Sequence, residues 1–109
     1  MPIFNLEEME FEQKRPRVFM KAITGEKSQL CVIRLDYGEK TFHEHKEEQF
    51  GVILNGSVEL TIGEEKKIIF KDYAYYIPAN TPHGFNVVST KGVEFIEFFC
   101  PPKKENMVI

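Results

Sequence analysis

The sequence predicts a single all-β domain, and three observations carry the prediction. Between Val18 and Phe99 no stretch keeps the 3.6-residue apolar period of an amphipathic helix. Short alternating or apolar runs recur instead, each stopped by a turn signal such as Gly25, Tyr37-Gly38, Asn55-Gly56, Gly63-Glu64, Lys71-Asp72 or Gly92. The runs are rich in Val, Ile, Phe and Tyr, side chains that fit a pleated, half-buried surface. About eight or nine such strands at this spacing make a sandwich or a barrel.

In chain order, residues 1–20 read as a peripheral arm and 21–109 as the barrel. Asn5 with Glu8 three residues on suits one capped turn, and Lys14-Arg15-Pro16-Arg17 then breaks any helix. Val18–Thr24 and Ser28–Leu35 read as strands, the second with Cys31, Ile33 and Leu35 on one face. The stretch from Gly38 carries His43 and His45, and Gln49 opens an apolar run that ends at Leu54. Asn55-Gly56 between two strand-like runs is the signature of a type I′ hairpin. Ser57–Ile62 alternates cleanly, Lys66–Phe70 continues a meander, and Tyr73–Ile77 is a short aromatic strand stopped by Pro78. Phe85–Val88 and Val93–Phe99 read as a final pair around Ser89–Gly92, and Pro101-Pro102 ends the regular structure.

The totals narrow the function. A length of 109 residues suits one core. Fourteen basic against 17 acidic residues give a net charge of −3, which argues against a nucleic-acid footprint. No apolar run approaches the ~18 residues of a membrane span, and the N-terminus lacks the build of a signal peptide, so a cytoplasmic protein is expected. Cys31 and Cys100 have neither metal-ligand nor redox spacing; two reduced thiols are expected, though spacing alone leaves a disulfide open.

Chemistry concentrates in the three histidines. His43 and His45, two apart in an extended segment, point the same way, and His83 sits at a turn before a later strand. Three neutral imidazoles with the Gln49 carbonyl suit a divalent transition metal such as Ni, Zn, Mn or Fe. Glu47 and Glu48 are alternative ligands if the register slips by one or two residues. A second feature is the last strand. Period two sets Phe95, Glu97 and Phe99 on one face and Ile96 and Phe98 on the other, and both faces are apolar enough to be interior. If the first is, Glu97 is a carboxylate inside the barrel, costly unless paired or functional. The Tyr73, Tyr75, Tyr76 cluster reads as core and pocket wall. Gly51 and Gly56 have phosphate-loop spacing, but Ser57 follows where Lys is required. No nucleophile-elbow serine is present, and neither cysteine lies near a histidine in the sequence.

These residues resemble the two motifs of the cupins, small double-stranded β-helix (jelly-roll) barrels. Gly38, His43-x-His45, Gln49 and Gly56 match the first motif, and Pro78, Asn80, His83 and Asn86 the second; the likeness covers about residues 25–100. Gln49 stands where the family usually has a ligand Glu, leaving the metal its full charge of about +2, a harder Lewis acid and a poorer fit to redox iron. Asn80 replaces a Gly, and Asn is the other residue that best tolerates the left-handed region.

A narrower resemblance is to the cupins of pectin and alginate breakdown that convert 4,5-unsaturated uronates to linear keto sugars. They carry a His, His, Gln, His metal set and a tail of Asp-x-Phe-x-Pro-Pro-Arg. Here Glu97, Phe99, Pro101, Pro102 and Lys103 fall on that tail, with Glu for Asp and Lys for Arg. The resemblance implies a metal held by His43, His45, Gln49 and His83, with Glu97 moving the proton. Lys103, together with Arg34, would hold the carboxylate of a small anionic substrate, and Phe99 would wall the pocket. It implies a homodimer joined through the N-terminal arm. Alternatives are a metal-dependent dioxygenase or isomerase using the same ligands, or a non-catalytic metabolite sensor.

Overall fold

A computed structural model describes residues 3–106, so the first two residues of the expected arm and the last three of the expected barrel segment lie outside it. Ten strands run through the described residues: β1 (Glu12–Arg15), β2 (Val18–Thr24), β3 (Gln29–Leu35), β4 (Lys40–His43), β5 (Glu48–Asn55), β6 (Val58–Ile62), β7 (Glu65–Ile69), β8 (Ala74–Ile77), β9 (His83–Val87) and β10 (Val93–Cys100). One 3-10 turn, Lys104–Asn106, is the only helical element among the described residues. A six-stranded sheet has the order β1-β2-β3-β10-β5-β8, and a four-stranded sheet the order β4-β9-β6-β7. The two face each other as an all-β jelly-roll barrel. The core between them comes from alternate residues, Ile33, Leu35, Ile53 and Phe95 on the large sheet and Val58, Leu60, Phe85 and Val87 on the small one.

Most strands form where the alternation predicts, but two of the expected pairings are wrong. Asn55-Gly56 does not close a hairpin. β5 pairs with β10 and β8, whereas β6 lies in the other sheet with β7 and β9. Asn55 is also not among the residues with positive φ, as a type I′ turn would require. The pair instead carries the chain across the barrel. Gly56 has φ 78°, and a Cβ there would lie 2.1 Å from the Gly92 carbonyl oxygen, so the crossing needs glycine twice over. Likewise β9 and β10 are not a pair; β10 lies between β3 and β5, and β8 joins β5. Turn residues announce that the chain reverses; which sheet receives the next strand is decided by burial of its apolar face.

The N-terminal segment begins with the capped turn expected at Asn5, whose Oδ1 accepts from Glu7 N–H at 3.0 Å. Further on, β1 forms the edge of the large sheet. The division expected between residues 20 and 21 falls inside β2. The cysteines are free: Cys31 is in the core and Cys100 is exposed, so no disulfide joins them. Burial pushes the Cys31 thiol up to about 12, which leaves it unreactive at neutral pH.

Candidate metal centre

Two strands and one loop bring the histidines together. β4 and β9 pair with His43 opposite His83, and His45 follows two residues on, just past the end of β4. The loop after β8 is tied to the same spot, because Asn80 N–H donates to the His45 carbonyl at 2.7 Å. Asn80 makes that bond from φ 58°, the left-handed conformation for which glycine or asparagine is suited. The three ring centroids are 4.7–5.1 Å apart. One nitrogen from each ring lies within 4.8 Å of the others.

The protonation of the rings follows from their hydrogen bonds. His45 Nδ1 lies 2.8 Å from the Glu47 carbonyl and His83 Nδ1 2.8 Å from the Thr81 carbonyl. A carbonyl only accepts, so each Nδ1 carries the proton and each Nε2 turns a lone pair to the centre. Desolvation, with the neighbouring imidazoles and Lys103, pushes His43 down to about 4 and His83 in the same direction, so both are neutral at pH 7.

Gln49 begins the inward row of β5 and is 1% exposed. Its Nε2 donates to Glu97 Oε2 at 2.7 Å. The opposite end of the amide, Oε1, is buried without a hydrogen-bond partner, as are His45 Nε2 and His83 Nε2. Buried polar atoms are nearly always satisfied. Here two unpartnered acceptors belong to the three-histidine cluster and the third lies on Gln49, which lines a cavity with His43; such donors suit a divalent cation, and the residues fit. Neither alternative acid shares this arrangement: Glu47 sits beside His45 Nδ1 at 3.5 Å, and Glu48 accepts from the exposed Tyr76 hydroxyl.

The last strand takes the inward option. Phe95, Glu97 and Phe99 are 1%, 2% and 3% exposed, whereas Phe98 is 47% exposed. Glu97 lines a cavity of about 350 Å³ together with His43, Gln49, Phe99 and Lys103. Burial raises its carboxyl to about 7, opposed by the hydrogen bonds from Tyr75 and Gln49 and by the charge of Lys103. Lys103 is 8% exposed, with its ammonium 3.2 Å from Glu105 and 5.3 Å from the Phe99 ring centre. The tail is folded back by Gln29, which donates to the Lys103 carbonyl at 3.3 Å and accepts from Asn106 at 3.3 Å.

Arg34 is the candidate that the fold takes away. It alternates with Ile33 and Leu35, so it lies on the outer face of β3, over the rings of Phe11 and Phe19 at 4.9 and 4.4 Å. The cations that do line the cavity from the edge strand are Lys14 and Arg15, which sequence reasoning left in a nondescript arm. Arg15 is held by Glu39 at 2.6 Å. Of the expected core and pocket wall, Tyr75 belongs to the core: it stands behind Glu97, donating to its carboxylate. Its shared parity with Ile77 was the available signal.

The profile of the family described as the cupin domain matches residues 31–99. The chain belongs to the cupin family. Among solved cupin-like folds, it is similar to KdgF from Halomonas sp., with 22% identity, a TM-score of 0.89 and coverage of 98% of this chain and 99% of that one. It also resembles an RmlC-like cupin from Shewanella frigidimarina at 18% identity and a TM-score of 0.84, covering 93% and 91% of the two chains. A local similarity of 40% identity over 43 residues links it to the H2HPP isomerase of Bacillus subtilis. That match takes in 38% of this cupin and only 18% of the relative's length. Among the described residues no helix is long and apolar enough to cross a membrane.

Proposed function

We propose that this cupin is a metal-dependent enzyme that opens a small anionic sugar, converting a 4,5-unsaturated uronate to its linear keto form. The observation that carries the reading is Glu97, a buried carboxylate facing the cavity within hydrogen-bond reach of the Gln49 side chain. The resemblance of the Glu97–Lys103 tail to that of the uronate cupins, and the likeness of fold to KdgF, support the same reading.

His43, His45, Gln49 and His83 would hold the metal, which supplies Lewis acidity toward a substrate oxygen. The rest belongs to the chain's own side chains. Lys103 offers its ammonium to the sugar carboxylate, and Phe99, directly beneath that ammonium, forms an apolar wall. Glu97 accepts the proton of the anomeric hydroxyl as the C1–O5 ring bond breaks, leaving an aldehyde at C1 and an enolate oxygen at C5. The same carboxyl returns that proton to C4 as the enolate becomes a ketone. No atom is gained or lost, so one carboxylate suffices and the reaction is an isomerisation. The apolar lining from Phe85, Phe95 and Phe99 limits competing exchange with water.

The test is Glu97→Gln. The replacement keeps the shape and can still accept the Gln49 N–H through its carboxamide oxygen, but it cannot take a proton. Turnover of the unsaturated uronate should fall by roughly 10²–10⁴-fold, the usual share of general acid–base catalysis, with metal content unchanged. Equal turnover in wild type and variant would remove Glu97 from the chemistry.

A further inference from the structure

Tyr75, Gly51 and Glu97 occupy one row across three strands. Glu97 on β10 is opposite Gly51 on β5, and Gly51 is opposite Tyr75 on β8. All three face the interior. Flanking strands in such a row are about 10 Å apart, twice the inter-strand spacing, so Tyr75 and Glu97 meet only if nothing stands between them. Gly51 is what makes room. A Cβ at that position would lie 2.1 Å from Tyr75 Cζ and 2.3 Å from its hydroxyl oxygen. The phenol therefore lies across the bare backbone of Gly51 and delivers its O–H to Glu97 Oε2. Tyr75 is only 9% exposed and does not line the cavity, so it has no route to a substrate of its own.

The same Glu97 oxygen receives the Gln49 amide at 2.7 Å. A carboxylate oxygen accepts, so it engages the N–H end of that amide and the carbonyl end faces away, where it is buried and unpartnered. The two ends of a glutamine amide are the same size and opposite in chemistry, and only the carbonyl binds a cation. The other Glu97 oxygen carries no hydrogen bond among the described residues, and Glu97 lines the cavity.

We propose that Tyr75, lying over Gly51, is a positioning residue of the metal centre: by anchoring Glu97 it fixes the Gln49 amide with its carbonyl toward the three histidines. The inference rests on the reading of those residues as a metal centre, and not on the identity of the substrate. Gly51 has a role in it that a phosphate-loop or ordinary strand glycine would not have.

The test uses Co²⁺ as probe, added to metal-stripped full-length protein, with the visible ligand-field spectrum and chelator competition as readouts. Tyr75→Phe should weaken Co²⁺ binding by roughly 10–100-fold, the usual effect of losing a group that orients a metal ligand, and should alter the ligand-field band. Gly51→Ala should act in the same direction by displacing the ring. Tyr76→Phe, one residue along and on the outer face, should leave both readouts at the wild-type value. In a Gln49→Ala background, Tyr75→Phe should have no further effect, because the orientation it protects is gone. Wild-type affinity and spectrum in Tyr75→Phe would overturn the inference, and so would a Tyr75→Phe effect that persists in Gln49→Ala. Failure of the wild type to bind Co²⁺ would overturn the metal-centre reading itself, and this inference with it.

Discussion

Glu97 and Lys103 reach the same cavity from two sides of Phe99, yet they should fail differently when replaced. In the proposed reaction Glu97 moves a proton, whereas Lys103, close over the Phe99 ring and paired with the exposed Glu105, holds charge. Lys103→Ala should therefore raise KM for the uronate while leaving kcat within a few-fold, and steady-state kinetics on the metal-loaded protein would show it. Lys103→Arg should recover most of the loss, since guanidinium binds a carboxylate with two parallel hydrogen bonds. A fall in kcat with no change in KM would give Lys103 a part in the chemistry instead. At this scale the sequence was legible where strand parity decides and opaque where it does not. His43 and His45 share parity within one segment, and their convergence with His83 could be read from the sequence. Glu97 could not be placed, because Phe95 and Phe99 on one face of β10 balance Ile96 and Phe98 on the other. Tyr75 meets Glu97 only through a non-local register over Gly51, which no local pattern encodes.

Among the elements, the loop between β8 and β9 and the crossing between β5 and β6 do the positioning. Asn80 holds a left-handed φ while its N–H ties the loop to His45. Asn80→Ala should lose about 1 kcal/mol of unfolding free energy, the cost of a left-handed Cβ, whereas Asn80→Gly should lose less. Denaturant titration of both variants checks the order, and the reverse order would mean that the Asn side chain itself matters. Gly56→Ala is expected to be worse than Asn80→Ala, because it adds a backbone clash with Gly92 to the same φ penalty. The strand boundaries were readable to within a residue or two, since alternation and turn residues mark them. Pairing was not. Asn55-Gly56 looks like a hairpin turn in sequence, and only the need to bury Gln49, Gly51 and Ile53 on one sheet and Val58 and Leu60 on the other explains why the chain crosses there.

For the whole molecule, the expectation of a homodimer built through the N-terminal segment stands as a proposal. Ile3 and Phe4 are 89% and 49% exposed at the start of that segment, whereas Phe11 is used within the chain, beneath Lys21 and Arg34. Sedimentation at micromolar concentration should give twice the chain mass, falling to one when residues 1–11 are removed; a monomer in both cases would contradict it. The central claim concerns the barrel interior, where three histidines converge and a glutamine amide and a buried carboxylate line one cavity with His43. Its most direct measurement is the ultraviolet absorbance of a 4,5-unsaturated uronate, followed with metal-loaded and with metal-stripped protein. The account predicts accelerated loss of the absorbance with the loaded protein, abolished by stripping and restored by adding back a divalent ion. Equal rates for loaded protein, stripped protein and buffer would contradict it.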